Sequence, residues 1–156
     1  MANHFSIRSA TVADVPAVAA AERRCFSDPW SAESIAALFD HESLVALVGE
    51  RLGGPPTVVG YLFARVIADE AEVVNIAVVP ENRGRGLGGQ LLDSCLEALA
   101  HRPVASVFLE VRESNEPARM LYYGRGFRPV GLRPSYYRKP VENALILRRD
   151  LGPDAF

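Results

Sequence analysis

The chain has two cysteines, one lysine, one tryptophan and almost no net charge, its formal value being −2 at pH 7. Each scarcity excludes something. Cys25 and Cys95 stand far apart and fit no metal-ligand or redox spacing, so they are expected as reduced thiols of a cytoplasmic protein. His4, His41 and His101 form no nucleophilic triad with either thiol, and no metal is expected. Balanced charge and a pI near 5.9 give no global attraction to nucleic acid or to an anionic membrane. The longest apolar run, Thr57 to Ala68, contains Arg65 and is too short to span a bilayer. Met1 to Arg8 lacks the apolar centre of a signal peptide. What remains is a soluble, cytoplasmic protein that recognises its partner locally, with no direct binding to nucleic acid or membrane.

At 156 residues and 49% hydrophobic content the chain is sized for one domain, taken as residues 1–150 with 151–156 as an expendable tail. Phe5 to Arg8 reads as a short strand. Thr11 and Asp14 offer helix-start acceptors ahead of Val15-Pro16-Ala17-Val18, and the helix is expected to reach Arg24. Phe26 to Ser31 is an aromatic-rich turn, with Ser31 capping a second helix that puts Ile35, Leu38 and Phe39 on one face. Ser43 to Gly49 and Thr57 to Ala68 are β-rich runs around the breaker Gly53-Gly54-Pro55-Pro56. Asp69 to Glu72 is expected as a turn into a strand over Val73 to Val79. A helix from Arg85 to Ala100 buries Leu87, Leu91, Leu92, Cys95 and Leu99 and ends before Pro103. A strand over Val104 to Val111 follows, then a helix capped by Asn115 with Pro117 in its first turn. Phe127 to Arg133 and Ala144 to Arg149 close the chain as a hairpin. The expected class is α+β, a mostly antiparallel sheet of six or seven strands with about four flanking helices.

The stretch that decides function is Arg83-Gly84-Arg85-Gly86-Leu87-Gly88-Gly89-Gln90, set between the Val73 to Val79 strand and the helix behind it. Its glycines let backbone N–H groups reach a ligand without Cβ interference, and the helix N-terminus adds unsatisfied donors and a positive dipole end. A diphosphate suits such a place. Two patterns fit the loop. Gly84-x-Gly86-x-x-Gly89 is a dinucleotide fingerprint, with Glu110 about twenty residues on, where a ribose-binding acid belongs. Against it, a doubly wound fold carries this fingerprint after its first strand, whereas three or four strands come first here. The 46 residues from 111 to 156 are also too few for a second nucleotide-binding half.

The other pattern, Arg83-x-x-Gly86-x-Gly88, resembles the pyrophosphate loop of the GNAT superfamily of acetyl-CoA-dependent N-acetyltransferases. Further matching stretches are Pro29-Trp30-Ser31, Asp69-Glu70-Ala71, Asn75-Ile76-Ala77-Val78, Leu109-Glu110-Val111-Arg112, Ser114-Asn115, Leu121-Tyr122, Gly126-Phe127 and Tyr136-Tyr137. As a set they look closer still to the bacterial RimI type, a branch that acetylates the N-terminal alanine of a small-subunit ribosomal protein. The resemblance runs along nearly the whole chain. It implies a GNAT fold whose sheet splays between the fourth and fifth strands, with acetyl-CoA held as cosubstrate in that opening. It further implies that Ile76, Ala77 and Val78 contact the cosubstrate through their backbone. Gly84, Arg85, Gly86, Leu87, Gly88 and Gly89 would hold the diphosphate, and Asn115 the cofactor arm.

Acetyl transfer to an amine needs two proton movements. An α-amino group has a pKa of about 7.7–8.0, so a base must take its proton at neutral pH. Glu110 is the candidate, in the apolar run Val107 to Val111, where burial would favour its neutral form. A phenol can protonate the departing thiolate, and Tyr122 and Tyr123 are both available. They lie about 100° apart on a helix, so only one faces the thioester; the family pattern implies Tyr122. Trp30, Tyr136 and Tyr137 would line a groove for a peptide or protein N-terminus, while 138–143, with Pro140, looks shorter than the corresponding RimI loop. The expected activity is protein N-α-acetylation by direct attack in a ternary complex, by a monomer or weak dimer. Lysine or small-amine acetylation and a non-catalytic CoA-binding module are the alternatives.

Overall fold

In the computed structural model, which describes residues 4–152, one sheet of seven strands carries helices on both faces. The chain runs β1 (Phe5–Ser9), α1 (Val15–Cys25), α2 (Ala32–Leu38), β2 (Val45–Arg51), β3 (Thr57–Ile67) and β4 (Glu70–Val78). It continues through α3 (Leu87–Ala100), β5 (Ser106–Arg112), α4 (Glu116–Tyr123), β6 (Arg128–Tyr137) and β7 (Glu142–Asp150). The strand order is β1-β2-β3-β4-β5-β7-β6. Every neighbouring pair is antiparallel except β4 with β5. Among the described residues no helix is long and apolar enough to cross a membrane.

The helix starts follow local chemistry. Ser31 accepts the Ser34 N–H at 3.1 Å to open α2, and Asn115 accepts the Ala118 N–H at 3.2 Å to open α4. Before α1, the Asp14 carboxylate accepts the Thr11 N–H at 2.8 Å and is gripped by Arg8 at 2.7 and 2.9 Å. The two helix layers are separated by the pleat of β3. Gly60 faces Leu87 of α3, and the next residue, Tyr61, faces Glu22 of α1 on the opposite side.

The first turn of α3 is seated by missing side chains on the sheet. Leu87 is 1% exposed and fills space left by Gly49 and Gly60, where an added Cβ would lie 2.6 Å and 2.8 Å from its methyl carbons. On the same side of the molecule, a Cβ on Gly89 would meet the Arg125 guanidinium. The loop before α3 is thereby held against the sheet at a defined height.

Three expectations need correction. Glu70 to Glu72 is strand, not turn, because β4 pairs there with β3 on one side and β5 on the other; the reversal is confined to Ala68 and Asp69. The terminal hairpin extends to Tyr137 and starts again at Glu142, and its second strand inserts between β5 and β6. Leu151 is not expendable: it is buried in the core and its N–H bonds the Ala105 carbonyl at 2.7 Å. The rest of the expected tail beyond Gly152 lies outside the described residues, as do Met1 to Asn3.

Gly60→Ala is expected to lower stability by about 1–3 kcal/mol through overpacking. The added carbon meets the Ala77 carbonyl oxygen at 3.1 Å as well as Leu87, and backbone cannot swing aside. Calorimetry should show Tm falling by about 2–4 °C for each kcal/mol. Gly54→Ala, with open space around it and no left-handed backbone, should leave Tm unchanged.

Candidate active site

Strands β4 and β5 pair for only four residues, Glu70 to Val73 against Ser106 to Leu109, and then part. The parting coincides with a bulge: Ala64 pairs with Val73 and Phe63 with Asn75, so Val74 is the extra residue. Beyond it β4 stays bonded to β3 on one edge, while its other edge faces a cavity of about 750 Å³. The splay expected from the resemblance is therefore present. The cavity brings together Trp30, Ile76, Glu110, Asn115, Tyr122, Tyr136 and Tyr137. Ala77, Val78 and the glycine loop lie beyond its walls, further along β4.

Glu110 reaches this cavity, but its setting is not the apolar one expected. A strand alternates faces, so Val107, Leu109 and Val111 are buried on one side while Phe108, Glu110 and Arg112 share the half-open other. There Arg133 of β6 brings its Nε to 2.9 Å from Glu110 Oε1. The Tyr136 phenol is pushed above its ordinary value by burial and by its hydrogen bond to the same carboxylate. Glu110 is 17% exposed as a side chain, within reach of the cavity and of a second hollow of about 340 Å³ on its far side.

The two tyrosines separate cleanly. Tyr122 is 5% exposed, packs edge to face on Phe127 at 6.0 Å and lines the cavity. Burial alone drives its phenol upward, which keeps it protonated at neutral pH, as an acid requires. Tyr123 points away toward Arg119, whose guanidinium lies 5.9 Å from its ring centre.

The glycine loop has the conformation its residues allow. Gly84 and Gly86 have φ of +76° and +88°, the left-handed region that glycine enters without steric cost. The first bond of α3 runs from Gln90 N–H to Gly86 O at 3.0 Å. Among the described residues, none of the N–H groups from Gly84 to Gly89 has a protein acceptor. Such a run of free donors before a helix dipole suits a diphosphate. Leu87 can contribute only its backbone, since its side chain is core. Val78 is partly used, its carbonyl accepting from Arg83 Nε at 2.8 Å and from the Cys25 thiol. Asn115 spends its oxygen on the α4 cap and retains its amide hydrogens.

Around Trp30, Tyr136 and Tyr137 the cavity is bounded by two turns that meet. Ser27 donates to the Lys139 carbonyl, and Lys139 lies 3.7 Å from Asp28. Arg112 stacks on the Tyr137 ring at 4.4 Å and donates to the Arg138 and Pro140 carbonyls at 2.9 and 3.0 Å. The short 138–143 segment is thus pinned from beneath. Sequence reasoning missed Arg112, Arg133 and Glu22 as parts of the site. For Glu22 a signal existed, since Val15, Val18, Ala19 and Glu22 share the inward stripe of α1.

Comparison with known proteins agrees with this geometry. Residues 15–127 match the model of the Acetyltransferase (GNAT) family. The [ribosomal protein bS18]-alanine N-acetyltransferase of Salmonella typhimurium is 35% identical over 147 residues, covering 93% of this chain and 95% of that protein. The crystal structure of the Escherichia coli ribosomal-protein-S18-alanine N-acetyltransferase superposes with a TM-score of 0.87 at 31% identity, over 97% of this chain and 99% of that one. Ard1 from Thermoplasma volcanium gives 0.84 at 26% identity, over 95% and 98%. With a splayed sheet, a donor-rich glycine loop and matches over nearly its full length, the chain belongs to the GNAT family of acetyltransferases.

Proposed function

We propose that this N-acetyltransferase moves the acetyl group of acetyl-CoA onto the N-terminal amine, an alanine, of a small-subunit ribosomal protein. The observation that carries the reading is the cavity at the β4–β5 parting, which holds Glu110 and Tyr122 between a free strand edge and a peptide-sized groove. The names of the relatives, which specify the alanine of ribosomal protein bS18, support the acceptor. We assign residues 1–150, extended by the core residue Leu151, as the catalytic unit, without nucleic-acid or membrane contact.

Acetyl-CoA is a substrate, and the residues present fit it. The free N–H groups of Gly84 to Gly89, with Arg85 beside them, would bind its diphosphate, and Ile76 and Ala77 offer strand-edge backbone to its arm. Asn115 would donate from its amide. The amine nitrogen attacks the thioester carbonyl carbon and Glu110 takes the proton it sheds. As the tetrahedral adduct collapses, the C–S bond breaks and Tyr122 protonates the leaving sulfur. No covalent enzyme intermediate is needed. Trp30, Tyr136 and Tyr137 would flank the entering chain.

An alanine-starting ribosomal peptide should be acetylated, and the same peptide with a blocked N-terminus and internal lysines should not. Equal turnover of the blocked peptide would transfer the reading to lysine acetylation, and CoA binding without thiol release to any amine would leave only a binding module. Glu110→Gln should cut kcat by about 10²–10⁴-fold, the usual range for a lost general base. Its acetyl-CoA affinity by calorimetry should stay near wild type, and the residual rate should rise with the amine's own ionisation near pH 8. Tyr122→Phe should cost about 10²-fold in kcat and Tyr123→Phe less than about threefold; the reverse order would refute the acid assignment. Because burial holds the Tyr122 phenol above its ordinary value of about 10, wild-type kcat should show no alkaline fall from this group up to that pH.

A further inference from the structure

Glu22 is 1% exposed, on the inward stripe of α1, and the chemistry above does not use it. Its carboxylate has no arginine or lysine partner among the described residues. Three neutral donors from three elements surround it instead. Oε1 accepts from the Tyr61 hydroxyl of β3 and from Asn75 Nδ2 of β4 at 2.7 Å, and Oε2 accepts the Trp30 backbone N–H at 2.9 Å. A buried carboxylate is costly to hold without a cation, and one that serves only to fill the core is better replaced by an apolar residue.

Its partners show what it links. Asn75 directly follows the bulged Val74 and precedes Ile76, on the strand that faces the thioester in the reading above. Trp30 closes the turn between α1 and α2, which lines the same cavity. Glu22 itself lines that cavity. Trp30 is 38% exposed, and while Ser27 and Asp28 tie the start of this turn to Lys139, the bond from the Trp30 N–H to Glu22 holds its end.

We propose that Glu22 is a positioning residue for the acceptor, tying the Trp30 turn to Asn75 and so setting the width of the cavity where the amine enters. The inference rests on the acetyl-transfer reading, and its test reads out separately from it. Glu22→Gln keeps the size but offers one acceptor oxygen. With Tyr61 and Asn75 both on Oε1, the amide oxygen goes to that side and its NH₂ confronts the Trp30 N–H, donor against donor. The turn is released.

In Glu22→Gln the KM for the acceptor peptide should rise about tenfold or more, the loss of a hydrogen bond to a charged group, while acetyl-CoA affinity stays within about twofold. Trp30 is the only tryptophan, so its emission reports on the turn directly and should become more accessible to acrylamide in the free variant. Tyr61→Phe leaves the Trp30 bond in place and should alter neither KM nor quenching. Asn75→Ala cuts the tie from its other end, and should raise the acceptor KM even if Glu22→Gln fails to fold. Unchanged acceptor KM in the folded variants, unchanged quenching in Glu22→Gln, or an equal loss of acetyl-CoA and acceptor binding would overturn the proposal. If the wild-type enzyme prefers another amine, the same comparison is made with that amine. Failure of the substrate assignment then appears in the wild type, and failure of the Glu22 role in the variants.

Discussion

The parting of β4 from β5 after Val73 and Leu109 is the constraint on which the rest of the molecule depends. Ending a strand pair inside a sheet leaves backbone donors and acceptors without partners, which a folded protein tolerates only where something else can bond them. Four pairs at the closed end, the bulge at Val74 and packing on both faces of β3 hold the seam together up to that point. Past it, one opening supplies both a strand edge for an extended ligand and walls from which side chains converge. Donor and acceptor can therefore meet at a single place without a second domain.

The titratable groups around that opening are kept apart by environment. Glu110 faces a cation and a phenol from β6 on the half-open side of the sheet, while Glu22 sits among neutral donors elsewhere on the cavity wall. Tyr122 packs its ring on Phe127 and is buried where it lines the cavity. Two carboxylates and a phenol of ordinary intrinsic chemistry are thus given different surroundings, and the proposed roles of base, brace and acid rest on that difference.

The glycines divide along similar lines. Gly84 and Gly86 are required by their left-handed backbone, whereas Gly60 is required for space beside backbone, and Gly49 and Gly89 leave room for the side chains of Leu87 and Arg125. That division explains why a dinucleotide fingerprint appears in a protein of another fold. Its first two glycines shape the loop, but the third, Gly89, makes room for the Arg125 guanidinium, and the acid twenty residues on faces Arg133 of β6.

Local chemistry was readable without coordinates. The caps at Ser31 and Asn115, the apolar stripe of α3, the glycine loop and the choice of Tyr122 over Tyr123 all concern residues within a turn or two of one another. Short-range geometry decides the caps, the stripe and the loop, while the choice of Tyr122 rests on the family pattern, and the fold places it on the cavity wall. What folding alone decided is everything set by chain segments far apart. Glu110 looked apolar because its sequence neighbours are, yet a strand points neighbours to opposite faces, and its true surroundings come from β6, more than twenty residues on. The insertion of β7 beside β5, the burial of Leu151 and the three-element grip on Glu22 have the same origin. A residue's type determines which bonds it can make, and the pairing of distant strands determines which of those bonds it meets.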